Sequence, residues 1–194
     1  MNVINQAYSI CIQAKVPVIL WGLPATGKTS RTQAMARGLG WTMIEQVCST
    51  WDPTDVGLPM MDRDGLMFRR VAPQWAHDCA EAGSKGILYL DEFSCTPPAV
   101  QAAALKIIGE RKCGDFKLPD GLAIALSANP ADIAAGGWDL APPMANRMVH
   151  LDCTLPVEDW CEGMISGWPD EEVKVLPKGW RHGIAGKRAL VTAY

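Results

Sequence analysis

The chain has 194 residues, 48% of them hydrophobic and 20% charged, with a formal net charge of −3. That is room for one α/β domain with a sizeable core and a small appendage, and the acidic balance gives no support for a nucleic-acid-binding face, which is normally basic. Seven cysteines without a C-x-x-C pair fit a reducing cytoplasm, with most of them packed as small hydrophobes.

In chain order, Ile4, Ala7, Tyr8, Cys11 and Ile12 recur at helical spacing and predict an amphipathic lead-in helix. The same stretch lacks the basic region of a signal peptide. No segment approaches the ~18 apolar residues of a membrane span. Pro17-Val18-Ile19-Leu20-Trp21 reads as a buried strand, and residues 30–37 as a helix. Between them, residues 22–29 (Gly-Leu-Pro-Ala-Thr-Gly-Lys-Thr) form a complete G-x-x-x-x-G-K-[ST] loop. A strand feeding a glycine-rich turn and then a helix aims backbone N–H groups and a helix N-terminus at one point, which is a nest for phosphate. Gly22 and Gly27 let the backbone approach the phosphates, Lys28 reaches the β and γ oxygens, and the Thr29 hydroxyl is a ligand for Mg²⁺. Leu23, Pro24, Ala25, Thr26 and Ser30 complete the predicted binding set, and Trp21 carries no special role. This motif predicts a nucleoside triphosphate site.

Residues 41–47 read as a second strand, followed by a polar, Pro/Gly-punctuated stretch over 48–59. Residues 60–68, with a central Asp64-Gly65, have the chemistry of a tight hairpin. A helix is predicted from Pro73 to Gly83, and a short apolar strand over 86–90 that runs into Asp91 and Glu92. Another helix spans Pro97 to Gly109. Residues 112–121, with Gly114, Pro119 and Asp120-Gly121, suggest a second hairpin. Residues 122–127 form a fourth strand ending at Asn129-Pro130, and 148–151 a short fifth. Apolar strands alternating with helices predict a parallel sheet covered on both faces. From about Pro156 the composition shifts to Trp, Pro, Gly and charge. That tail is either a small helical appendage or the stump of one. His77, His150 and His182 stand at no recognisable ligand spacing from the cysteines, which speaks against a structural zinc.

At the C-terminal edge of a parallel sheet, Asp91 and Glu92 sit beside the phosphate loop. Asp91 is suited to the Mg²⁺ shell, and Glu92 to polarise an attacking water as general base. Asn129 ends its strand at the same edge, with an amide able to hold a water or the γ-phosphate.

Together these residues resemble an AAA+ ATPase, and more narrowly the MoxR-like branch grouped with dynein-related, McrB and magnesium-chelatase modules. The resemblance runs from about Val16 to Leu151. Residues 90–105, Leu-Asp-Glu-Phe-Ser-Cys-Thr-Pro-Pro-Ala-Val-Gln-Ala-Ala-Ala-Leu, match the branch's Asp-Glu and Pro-Pro-x-Val-Gln-x-Ala-Leu pattern. A second match joins Asn129-Pro130 to residues 136–143 and Asn146-Arg147. The resemblance implies an αβα sandwich with a central five-stranded parallel sheet of order 5-1-4-3-2. It makes Lys28 and Thr29 the Walker A pair, Asp91 and Glu92 the Walker B pair, Asn129 sensor 1, and Arg147 an arginine finger that reaches a neighbouring subunit. ATP and Mg²⁺ are the implied cofactors. A homo-oligomeric, six-membered ring, a protein client and a von Willebrand factor A-type partner are the implied assembly. The 60–68 and 112–121 segments are similar to the branch's helix-2 insert and pre-sensor hairpin, which project toward a pore and touch client.

Two departures stand out. Asn146 and Met148 flank Arg147 where the branch has Asp and Phe. Residues 183–190 resemble the sensor 2 motif only faintly, and Arg188 follows Arg147 too closely for the usual helical lid. The expected organisation is therefore a nucleotide-binding core over 1–155 and the start of an incomplete helical lid over 156–194.

Overall fold

The computed structural model describes residues 3–130, 133, 137–154, 156–166 and 173–177. Helix α1 (Val3–Ala14) leads into β1 (Val18–Trp21), and the glycine-rich loop connects β1 to α2 (Lys28–Leu39). Strand β2 (Thr42–Val47) is followed by two short 3₁₀ turns and an antiparallel ribbon of β3 (Leu58–Met61) and β4 (Phe68–Val71). Helix α3 (Gln74–Ala82), β5 (Gly86–Asp91) and α4 (Pro98–Glu110) come next. A second ribbon, β6 (Lys112–Cys113) and β7 (Phe116–Lys117), precedes β8 (Ala123–Ala128). The short α5 (Pro142–Ala145), β9 (Val149–Asp152) and α6 (Val157–Ser166) complete the described elements.

Five strands form one parallel sheet in the order β2-β5-β8-β1-β9. Counting only these strands along the chain, this is the predicted order 5-1-4-3-2. Successive side chains of a strand point to opposite faces, and the apolar runs here serve both. Ile19, Leu88, Leu90, Ile124 and Leu126 face α3 and α4 through Trp75, Cys79, Val100, Ala104 and Ile107. Val18, Leu20, Ile87, Tyr89 and Ala125 face α1 and α2 through Tyr8, Ile12, Met35 and Ala36. The three inner strands are therefore apolar on every residue up to the edge that carries the site. The outer strands β2 and β9 are largely exposed, so two-sided burial holds only for the sheet interior.

The 48–59 stretch is more than a polar connection, because Cys48, Trp51 and Val56 are buried and Trp51 stacks on Trp75 with ring centroids 5.6 Å apart. The second hairpin turns at Gly114-Asp115, whereas Asp120-Gly121 lies in the loop that enters β8. The two ribbons are joined: the Asp115 N–H donates to the Arg70 carbonyl and the Arg70 N–H to the Asp115 carboxylate, each at 3.0 Å. Cysteines 48, 79, 113 and 153 are buried, and burial pushes the Cys79 and Cys113 thiols up to about 12, as befits packing groups.

Gly114 has φ +58°, and a Cβ there would lie 2.5 Å from the Arg70 carbonyl oxygen. Gly114→Ala is expected to cost about 1–3 kcal/mol through strain and overpacking. A thermal melt reads this as a lowered Tm, and an unchanged Tm would rule out the joined ribbons.

Candidate functional site

The site is assembled where β1, β5 and β8 end side by side, the edge at which ligands bind in open α/β sheets. A cleft of about 350 Å³ is lined there by residues 24–30 together with Asp91, Glu92, Ser127 and Asn129. Its floor is the glycine-rich loop. Gly27 adopts φ +77° and Ala25 φ +63°, the left-handed conformation that turns successive N–H groups inward but is costly for alanine. A Cβ on Gly22 would lie 2.5 Å from the Cys153 carbonyl oxygen, so the loop entrance packs directly against the end of β9.

Lys28 is 8% exposed, and its ammonium donates to the carbonyls of Gly22 and Leu23, each at 2.8 Å, and to Asn129 Oδ1 at 2.9 Å. Burial lowers its pKa, opposed by Cys153, Asp91 and Glu92. Asp91 is held by three donors. Thr29 Oγ1 donates to Oδ2 at 2.8 Å, while the Ser127 hydroxyl and the Glu92 N–H (2.9 Å) both donate to Oδ1. Glu92 itself adopts φ +54°, and its carboxylate accepts a hydrogen bond from Ser49. The Asn129 N–H donates to Ser94 Oγ at 3.0 Å, fixing the start of the loop after β8.

Ten of the residues singled out from the motifs thus converge: Pro24, Ala25, Thr26, Gly27, Lys28, Thr29, Ser30, Asp91, Glu92 and Asn129 all line the cleft. Gly22 and Leu23 serve it through the carbonyls that hold Lys28. Arg147 stands apart, exposed in the turn between α5 and β9, with its guanidinium on the Pro143 carbonyl and against Gly109 of α4. Arg188 lies outside the described residues. Trp21 has a role that the motif does not foreshadow: its indole N–H donates to His150 Nδ1 at 2.9 Å, and His150 Nε2 meets the Ala145 carbonyl at 2.9 Å. An indole only donates and a carbonyl only accepts, so this imidazole is neutral with its proton on Nε2. It ties the strand entering the phosphate loop to the segment that carries Arg147.

Three hydroxyls escape motif reading. Ser127 has a weak signal, a polar residue closing an apolar strand. Ser49 and Ser94 have none, because each meets the site only through tertiary placement. The Thr29 hydroxyl and the Asp91 carboxylate are paired hard oxygens facing one cleft, a donor set that fits Mg²⁺ completed by phosphate and water.

No protein-family model matches the chain, and no curated protein matches it in sequence. Solved structures share its fold. A protein of Cytophaga hutchinsonii described as a candidate ATPase superposes with TM-score 0.56 at 20% identity over 88% of this chain. NtrX of Brucella abortus, in complex with ADP, superposes with TM-score 0.50 at 18% identity over 77% of this chain. The chain spans 52% and 34% of those proteins, respectively.

Ser127 is 1% exposed, and its hydroxyl both donates to Asp91 and accepts the Glu92 N–H at 3.1 Å. Ser127→Ala is expected to keep the fold while lowering stability by about 1–2 kcal/mol. Urea denaturation measures this, and a midpoint equal to wild type would remove Ser127 from the network.

Proposed function

We propose that this chain is the nucleotide-binding core of an AAA+ ATPase of the MoxR-like kind, which binds ATP with Mg²⁺ and hydrolyses it in a ring to remodel, or insert a cofactor into, a protein client. One observation carries the reading: Lys28, Thr29, Asp91, Glu92 and Asn129 surround a single cleft at the C-terminal edge of the sheet. The ADP held by NtrX, a protein of the same fold, supports a nucleotide as the ligand.

The residues divide the work. Backbone N–H groups of the loop and the start of α2 cradle phosphate oxygens. Lys28 exchanges its carbonyl partners for the β and γ oxygens. Thr29 and Asp91 would hold Mg²⁺, which would supply positive charge to offset that of the phosphates. Glu92, once released by Ser49, takes a proton from the attacking water, and Asn129 orients that water. Arg147 faces away from its own cleft and acts on the nucleotide of the next subunit, where a finger of this type accelerates phosphoryl transfer by ~10³–10⁵ in GTPases.

The client surface is the β3–β4 ribbon. Met60, Met61, Leu66, Met67 and Phe68 are all exposed on it, and methionine side chains adapt to irregular apolar partners. A von Willebrand factor A-type protein is the implied helper. A second reading, a nucleic-acid motor of the McrB kind, draws on Arg63, Arg69 and Arg70 of the same ribbon. Asp62, 4.0 Å from Arg69, offsets part of that charge. Stimulation of ATPase by DNA that falls steeply with salt would select this alternative. Among the described residues no helix is long and apolar enough to cross a membrane.

Glu92→Gln is expected to bind ATP as wild type does and to lose turnover by about a hundredfold or more. Wild-type turnover in that variant overturns the base assignment. Turnover per subunit should also rise with protein concentration and fall in Arg147→Ala. Fast hydrolysis independent of concentration contradicts the interface finger.

A further inference from the structure

Tyr89 is fully buried on β5, two residues before Asp91, on the face of the sheet covered by α1 and α2. An apolar side chain would serve that layer as well, yet a phenol stands here with its hydroxyl beside that of Thr29. Its oxygen lies 3.4 Å from Thr29 Oγ1, within hydrogen-bond reach. On the same face of the sheet, the Tyr8 hydroxyl meets Thr32 Oγ1 at 2.7 Å. Thr29 in turn donates to Asp91 Oδ2, so a chain of hydroxyls runs from Tyr89 to the carboxylate of Asp91.

Counting protons gives the chain a direction. The single proton of Thr29 goes to Asp91 Oδ2, and that of Ser127 to Asp91 Oδ1. The proton of Thr32 goes to the Lys28 carbonyl at 3.1 Å, so Tyr8 donates to Thr32. Thr29 has no second proton for Tyr89, so the phenol donates and Thr29 Oγ1 accepts. A hydroxyl oxygen has one proton and two lone pairs. With the proton on Asp91 and one lone pair on Tyr89, the second lone pair of Thr29 remains for a cation in the cleft that Thr29 lines.

We propose that Tyr89 is a positioning residue for the divalent cation, its buried hydroxyl fixing the Thr29 hydroxyl as a metal ligand. This rests on the Mg²⁺-ATP reading above. Partners behind a ligating group tune metal affinity, whereas the backbone cradle for the phosphates does not involve Tyr89. The loss of this hydroxyl is therefore felt with metal and not without it.

The test is ATP affinity of Tyr89→Phe measured calorimetrically with Mg²⁺ and again in excess EDTA, alongside wild type. The expected result is affinity about tenfold weaker with Mg²⁺ and unchanged in EDTA. Tyr89→Leu should show the same split, which keeps the test open should one variant fold poorly. On a Thr29→Ala background, Tyr89→Phe should cost nothing further, because the residue it positions is gone. An equal loss with and without Mg²⁺, or an undiminished loss on the Thr29→Ala background, overturns the proposal. Wild-type affinity that is the same with Mg²⁺ and EDTA overturns the metal reading itself, and is told apart by appearing in the unmutated protein.

Discussion

The Asp91 carboxylate is the point on which the cleft depends. It ends β5, yet its donors come from α2 through Thr29, from β8 through Ser127, and from its own chain through the Glu92 N–H. A partly buried carboxylate needs such donors, since desolvating the charge without them is costly. The parallel sheet supplies them by bringing the ends of β5, β8 and β1 to one edge in adjacent register. Glu92 follows directly, and its left-handed backbone turns its side chain toward Ser49 instead of along the strand. The two adjacent carboxylates are thus turned apart by the strained backbone of Glu92 at the end of one strand.

Lys28 is organised by the same economy of partners. Three acceptors from its own loop and from Asn129 hold an ammonium that burial would otherwise disfavour. Under the proposed function an arriving phosphate would replace them with charged oxygens and would free the Asn129 amide for a water. The Lys28–Asn129 contact would then couple binding to positioning through one side chain.

Much of this was legible in the chain because the informative residues terminate apolar runs. Asp91 and Asn129 each follow a stretch too uniformly apolar to be anything but an interior strand, Lys28 ends the loop that leaves a third, and parallel pairing brings such ends together. The strand order itself came from resemblance, since periodicity is blind to which strands pair. Ser49 and Ser94 were illegible because a serine in a turn has no local mark of its distant partner. Tyr89 hides differently. Inside an apolar strand it reads as core, which it is, and only its hydroxyl's neighbours separate it from a leucine. Trp21 is alike: its ring packs against the core while its N–H holds His150.

The joined ribbons extend the same logic away from the cleft. Ser49, which holds Glu92, lies in the first turn after β2, and the chain passes from there through the Asp52-capped turn into β3. Asn129 ends β8, which is entered from β7. The two routes meet again where Asp115 brackets both backbone groups of Arg70, and where Gly57 and Gly114 are too close to admit a Cβ. Neither ribbon can shift at this contact without the other. Arg70 sits on the outward edge of β4, so the bracket also occupies backbone groups that an added strand would need, and Pro59 blunts the opposite edge by lacking an N–H. Strand addition is thus blocked at Arg70 and at Pro59, and the exposed apolar side chains of the tip are the part of the ribbon open to contact.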